Sequence, residues 1–440
     1  STVSPAAWKQ KIQVDLKGAD YNDSLIWKSN EGIHVKPFYT SEDRHNNNVC
    51  LPKDGYKICQ SIFVDDVIIA NKIAVDSLER GATAIQFIAK NTFDYIVLFD
   101  KIDTKQTHIY LNFEFLDAAF ISEIEKYCKG NYIYFQIDII GNLAKTGNWF
   151  SNLNADISEK AKFIHTVTNS ICVDASLYQN AGATIIQELA YALAHTNEYL
   201  ELFGESIALK IHYIFSIGSN YFFEIAKLRA FRILVEVLLK ERGIQHTTIH
   251  IFTKPSLRNK TIFDYNVNML RTTSECMSAI LGGSDTISNI SYDSIYHKSN
   301  EFGERIARNQ LLILKEEAYL SEAYKFSNGA YYIENTEKQF AEKALQLFKQ
   351  IEKNGGFLKQ LKKGTIQNKI SENAGKQQEL FDQNKLILLG TNKLPSQNDR
   401  MKNELQIYPF LKKKNSKTLI VPILQRRLSE QHEQNRLKME

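Results

Sequence analysis

Three observations predict an α/β protein built as a (β/α)8 TIM barrel. Short runs rich in β-branched and aromatic residues recur along the chain, and most are followed by a helical pattern, the alternation that a parallel sheet requires. About eight repeats follow from Tyr56 onward, a number that favours a closed barrel over an open sheet. A length of 440 residues accommodates one barrel of roughly 250 residues with extensions, or two to three ordinary domains. The division expected is an N-terminal arm over 1–55, the barrel over 56–350 and a C-terminal helical and basic extension over 351–440 that completes the barrel domain.

In order, residues 6–17 read as a short amphipathic helix closed by Gly18. Extended polar sequence follows at 26–29 and 32–40, too polar for a core and suited to wrapping around something. An asparagine-rich loop covers 41–55. Strands are expected at 58–64, 84–89, 108–115, 132–140, 164–173, 207–215, 247–252 and, more weakly, 286–290. Residues 329–334 resemble a last barrel strand and 385–390 another short one. Helices are expected at 67–79, near 92–98, and at 183–200, 220–239, 302–325 and 337–353. The helix from 183 is marked by Ile185, Leu189, Leu193 and Leu200, which recur near the 3.6 period.

Composition excludes several classes. A globular mixture, 43% hydrophobic and 24% charged, supplies a sizeable core. The net charge of +4 is too small for a dedicated nucleic-acid binder. Five scattered cysteines (Cys50, Cys59, Cys128, Cys172, Cys276) form no CxxC pair, which suits free thiols in a reducing compartment. No apolar run approaches the ~18 residues of a membrane span, and residues 1–13 lack the core of a signal peptide. A cytoplasmic protein is expected.

The loop at 174–182 joins a strand to a helix, and such loops form the catalytic face of a barrel. Yet it offers Leu177 and Tyr178 and no histidine or paired carboxylate. His246 and His250 have the spacing of a helical zinc pair but fall in a β-like run, and Thr247 stands where a zincin needs glutamate. Gly282 and Gly283 mark a tight loop, a weak signal for phosphate. Asp43-Arg-His45-Asn-Asn-Asn48 comes within one residue of the DxHxxG cobalt-ligating signature but lacks its glycine and any flavodoxin-like surroundings. The basic residues 412–417, with Arg426 and Arg427, precede Glu430, Glu433 and Glu440, as in a solvated face or an arm docked on an acidic partner. The residues alone describe an α/β barrel without an active site or metal site.

Several stretches together resemble the barrel of the adenosylcobalamin-dependent methylmalonyl-CoA mutase family. They are residues 172–195, Phe222-Phe-Glu-Ile-Ala-Lys-Leu-Arg-Ala-Phe-Arg232, Asn266-Val-Asn-Met-Leu-Arg-Thr-Thr273, Leu281-Gly-Gly283, Arg305-Ile-Ala-Arg-Asn-Gln310, Asn328-Gly-Ala-Tyr-Tyr-Ile-Glu334 and 32–40. They run in family order over about 8–430. The resemblance implies a fold in which a cobalamin-derived radical rearranges methylmalonyl-CoA to succinyl-CoA. Where the family has GYHxxEAGA, the histidine position is Leu177. Where it has GGTQSLHTN, glutamine and histidine become Asp285 and Ser288. Its YxxxPWTIRQY entry places Cys59 at the arginine and Leu51 near the tyrosine. These departures remove the donors for a thioester carbonyl and a carboxylate, and the expectation is a barrel without a C-terminal cobalamin-binding domain.

The pattern is therefore similar to the small subunit of heterodimeric mutases, whose large subunit carries substrate, adenosylcobalamin and catalysis. What the resemblance implies is a non-catalytic chain that binds no cofactor itself, with arm 1–55 making subunit contacts. Two alternatives stand beside it: a divergent catalytic acyl-CoA mutase barrel that uses a separate cobalamin-binding subunit, and a free-standing scaffold or regulator. Deletion of residues 1–40 is expected to weaken assembly and to leave the barrel intact.

Overall fold

The computed structural model describes residues 3–44, 49–53, 55–130, 132–245, 248–322, 325–411 and 417–440. His45, His246, Thr247 and residues 412–416 lie outside that set, so the DxHxxG-like run, the histidine pair and the lysine cluster are not described in full.

Eight parallel strands form one nearly closed sheet: β1 (Lys57–Phe63), β2 (Ala84–Ala89), β3 (His108–Phe113), β4 (Ile133–Phe135), β5 (Ile171–Asp174), β6 (Ile211–Ile217), β7 (His250–Pro255) and β8 (Thr286–Ile287). Their order is β4-β3-β2-β1-β8-β7-β6-β5, so β8 returns to pair with β1. The remaining seam is bridged by Asn169, whose carbonyl accepts from Phe135 N (3.1 Å) and whose amide donates to Ile133 O (3.0 Å). The expected α/β barrel is what the chain forms.

Alternation along each strand separates two cores. Outward residues such as Ile85, Phe87, Ile109 and Leu111 pack with Ile121 and Ile124 of the surrounding helices. Inward residues Cys59, Ala84, Tyr110, Tyr134, Cys172, Ile214 and Phe252 form a separate cluster in the lumen. Helices begin where an aspartate ends the preceding segment: Asp66, Asp94, Asp117 and Asp138 each accept backbone N–H bonds as N-caps.

Several expected elements differ. Residues 329–334 are not a strand; helix Tyr331–Lys353 begins there, because Ile333, Phe340, Ala344, Phe348 and Ile351 make one buried stripe. Residues 385–390 contribute only an isolated bridge between Leu389 and Lys393, with Leu388 packed on Phe381. The run at 132–140 splits at Asp138, which caps helix Ile139–Thr146. In 164–173 only Ile171–Asp174 is strand, since Asn169 adopts φ 46° just ahead of it. The stretch from 207 opens as a 3-10 turn, Glu205–Lys210.

The arm lies on the barrel's own helices. A two-residue hairpin pairs Trp27–Lys28 with His34–Val35, Ile33 is 1% exposed, and Trp27 stacks on Phe223 at 5.4 Å. Its first helix, Pro5–Asp15, buries no residue. The C-terminal extension crosses the strand ends. Leu419 N donates to Gly147 O (2.9 Å), Ile423 N to Ala144 O (2.8 Å), Arg426 N to Asn180 O (3.1 Å) and Leu428 N to Arg258 O (2.9 Å). Gly147, at φ +80°, lets it pass, since a Cβ there would come within 2.7 Å of Ile420 O.

Candidate functional site

The C-terminal strand ends carry the site-shaped loop. After Asp174 a short helix, Ser176–Asn180, leads to Thr184, which caps helix Ile185–Phe203 in a capping box with Gln187. The loop is pinned from below. Asp138 accepts from Gly141 N (2.7 Å), Asp174 N (3.0 Å) and Tyr199 OH (2.7 Å), and His195 places Nε2 3.1 Å from it. The other ring nitrogen of His195 meets Tyr178 OH at 3.0 Å. Burial alone would raise the Asp138 carboxyl, but the imidazole and the donors around it hold it below its ordinary value. His195 and Tyr178 are both 0% exposed, so these two side chains position the loop from within the core. Sequence reading missed this network because its side-chain hydrogen bonds join residues 17 to 61 positions apart.

Above the lumen the inward side chains are polar and joined. Ser61 Oγ donates to Gln86 Oε1 (2.6 Å) and lies 2.8 Å from Ser288 Oγ; Gln86 also bonds Gln136, and Lys254 Nζ donates to Gln86 Oε1 at 2.6 Å. Burial lowers the Lys254 ammonium, with Cys59 and Asp174 opposing. Burial raises the Asp174 carboxyl, against a hydrogen bond from Ser176. Beside them opens a cavity of about 310 Å³ lined by Gln136, Asp138, Lys145, Asp174, Leu177 and Gln425. Lys254 and Asp174 each oppose the other's shift through charge, while their hydrogen bonds go to Gln86 and Ser176 respectively. Burial pushes the Cys59 and Cys172 thiols up, away from the thiolate.

Below this layer the lumen is filled. Tyr110 stacks on Tyr134 (4.8 Å) and packs on Phe252 (4.6 Å), and Tyr134 stacks on His250 (4.3 Å). Tyr110 OH lies 2.8 Å from His250 Nε2 and 2.6 Å from Thr286 Oγ1. His108 and Tyr132 continue the stack toward the N-terminal end, where burial lowers the His108 imidazole to about 4.

The five positions singled out in the sequence do not gather at one point, although Cys59 and Ser288 meet. Leu51 lies against Gly283 at the N-terminal end of the barrel. Asp285, at the same end, is held by Arg232 (2.8 Å) and accepts from Ile251 N (2.8 Å). Cys59 sits in the lumen, Ser288 in the polar layer, and Leu177, 2% exposed, beneath the loop. Among the described residues no group of three or more His, Cys, Asp or Glu side chains is placed to hold a metal ion.

A family model described as methylmalonyl-CoA mutase matches residues 97–439. With the barrel, this places the chain in the methylmalonyl-CoA mutase family. Among curated proteins it is 34% identical to the methylmalonyl-CoA mutase small subunit of Porphyromonas gingivalis, over 90% of this chain and 70% of that one. The methylmalonyl-CoA mutase large subunit of the same organism is 30% identical over 54% of this chain and 35% of its own length. The methylmalonyl-CoA mutase of Rhizobium meliloti is 33% identical over 58% and 37%. The chain thus spans little more than a third of the latter two relatives. No helix among the described residues is long and apolar enough to cross a membrane.

Proposed function

We propose that this chain is a non-catalytic small subunit of a heterodimeric methylmalonyl-CoA mutase, acting in the cytoplasm. In this reading it supports a large subunit that isomerises methylmalonyl-CoA to succinyl-CoA by a cobalamin radical mechanism. One observation carries it: the lumen in which a substrate chain would have to lie is packed by Tyr110, Tyr134 and Phe252. Leu51, Cys59, Leu177, Asp285 and Ser288 add to it: Leu51 and Leu177 carry no polar side-chain atom, Asp285 is held by Arg232, and Cys59 and Ser288 turn to one another. In this reading the chain binds no adenosylcobalamin itself. Asp43, the acid of the nearest DxHxxG-like run, accepts from Lys36 Nζ (2.5 Å) and Thr40 N (3.0 Å) and so closes a local turn. The cofactor is therefore assigned to the large subunit.

Lys254 and Asp174 favour one alternative, a divergent catalytic barrel, and a turnover assay separates the two. Purified chain with excess adenosylcobalamin and methylmalonyl-CoA is expected to form no succinyl-CoA, and addition of large subunit to supply it. Leu177→His is expected to leave the isolated chain inactive, because groups that act as a unit are strongly non-additive. Turnover by the chain alone would refute the assignment.

The arm's part in assembly narrows to its first helix. Trp8 and Val14 are 52% and 71% exposed, whereas Ile33 is built into the chain's own core. Removal of residues up to Gly18 is expected to weaken assembly with the large subunit at unchanged circular dichroism. Removal through residue 40 also strips Ile33 and Trp27 from the barrel and is expected to lower Tm. Full-affinity assembly by the shorter truncation would exclude the helix as a contact.

A further inference from the structure

A second cavity, of about 510 Å³, lies between the arm hairpin, the loops after β5, β6 and β7, and the C-terminal extension. One part of its wall is apolar, with Trp27, Ile185, Phe223, Leu386 and Leu388. Two guanidinium groups, Arg258 and Arg271, line the rest with Glu31, Glu224 and neutral polar side chains.

The partners of these two arginines set them apart. Arg258 donates to Gln377 Oε1 (2.7 Å) and Arg426 O (2.9 Å). Arg271 donates to Thr261 Oγ1 (3.0 Å), Asn268 Oδ1 (2.8 Å) and Leu389 O (2.7 Å). Every one of those acceptors is neutral. Lys227, Arg229, Arg232, Lys260 and Arg427, all buried, each rest on a carboxylate, whereas buried Arg258 and half-buried Arg271 do not. Glu275, Asp264 and Glu433 act on Arg271, and Glu430 on Arg258, through charge without forming an ion pair, so two guanidinium groups that share one cavity and lack a direct carboxylate partner create a preference for an anion there. The carboxylates in the wall do not meet it. Glu224 is taken by Lys227 at 2.5 Å. Glu31 accepts from Ile185 N at 2.6 Å, and burial pushes its carboxyl up to about 7. The backbone also makes room for Arg258: at Gly182, φ +103°, an added Cβ would come 3.0 Å from its Cζ and Nη2.

We propose that this cavity binds a small organic anion, a carboxylate on a short apolar tail. Arg258 and Arg271 hold the carboxylate, and the Trp27–Leu388 wall takes the tail. This site is separate from the assignment as a mutase subunit and stands without it.

Trp27 supplies the readout, since Trp8 and Trp149 are the other two tryptophans. In the full chain carrying Trp8→Phe and Trp149→Phe, hexanoate is expected to change the fluorescence of Trp27 saturably. In the unmodified chain it is expected to raise Tm, as any ligand of the folded state does. Arg271→Gln, checked for folding by circular dichroism, is expected to weaken hexanoate at least about tenfold, whereas Arg271→Lys retains part of the affinity. If Arg271→Gln does not fold, Arg258→Lys serves for the same comparison. Equal binding of hexanol, which has no charge, overturns the proposal, as does absence of saturation up to about 10 mM hexanoate.

Discussion

Tyr110→Ala is expected to be among the most destabilising single changes in this chain, at about 3–5 kcal/mol for the lost ring alone. The side chain is 0% exposed and packs on Tyr134 and Phe252 in the middle of the lumen. Its removal also leaves His250 Nε2 and Thr286 Oγ1 without the hydroxyl they now share, which adds about 1–3 kcal/mol if no water enters. A loss of that size is comparable with the whole stability of an ordinary domain, about 5–15 kcal/mol. Tyr110→Phe keeps the ring and should show only the second part. Urea unfolding of both variants checks the result. A midpoint for Tyr110→Ala equal to that of the unmodified chain would mean that the lumen is not packed as described, and the main support for a non-catalytic barrel would go with it.

Glu337→Leu is expected to cost about 3–5 kcal/mol by a different route, the stranding of a buried charge. Arg229 and Glu337 are both 0% exposed and meet at 2.5 Å, joining helix Tyr221–Glu241 to helix Tyr331–Lys353. Arg229 also donates to Asn328 Oδ1 (2.8 Å) and Ser327 Oγ (3.2 Å), neutral acceptors that cannot replace the carboxylate. The double variant Arg229→Met/Glu337→Leu removes both charges and should recover much of the loss, because an apolar pair of similar volume avoids the desolvation penalty. A strongly non-additive cycle is therefore the expected signature. If the two single losses simply add, the ion pair is not what links these helices.

Most strands were legible because each is a run of β-branched and aromatic residues that begins or ends on a polar cap. The helix start at Val67 followed as expected, whereas the helix expected near 92 begins only after Asp94, its N-cap. The misreadings come from local patterns that tertiary context overrides. Tyr331-Tyr-Ile333 has β-forming side chains, but the stripe from Ile333 to Ile351 matches the face of helix Tyr221–Glu241, against which it packs. Residues 385–390 look like a strand and find no sheet edge, because β8 already pairs with both β1 and β7. In the 222–232 stretch, Lys227, Arg229 and Arg232 all form buried ion pairs. The polar layer was invisible for another reason. Ser61, Gln86, Gln136, Lys254 and Ser288 come from five strands, and only barrel closure brings them to one level.

The bonds from the C-terminal extension to Gly147, Asn180 and Arg258 bear on synthesis as well as on the finished fold. Along the chain 168 residues separate Arg258 from the Arg426 carbonyl it donates to. At about 5–20 residues per second, translation leaves the strand ends uncovered for roughly 8–35 s after that part of the barrel has been made. Until the last residues arrive, backbone carbonyls at Ala144, Gly147 and Asn180 lack their partners, and the apolar surface later covered by Ile420 and Ile423 faces solvent. Non-local closures of this kind are slow and expose aggregation-prone surface while they wait. A ribosome-bound chain stalled before residue 417 is accordingly a natural client for a chaperone, held by the same patch that its own C-terminus later occupies.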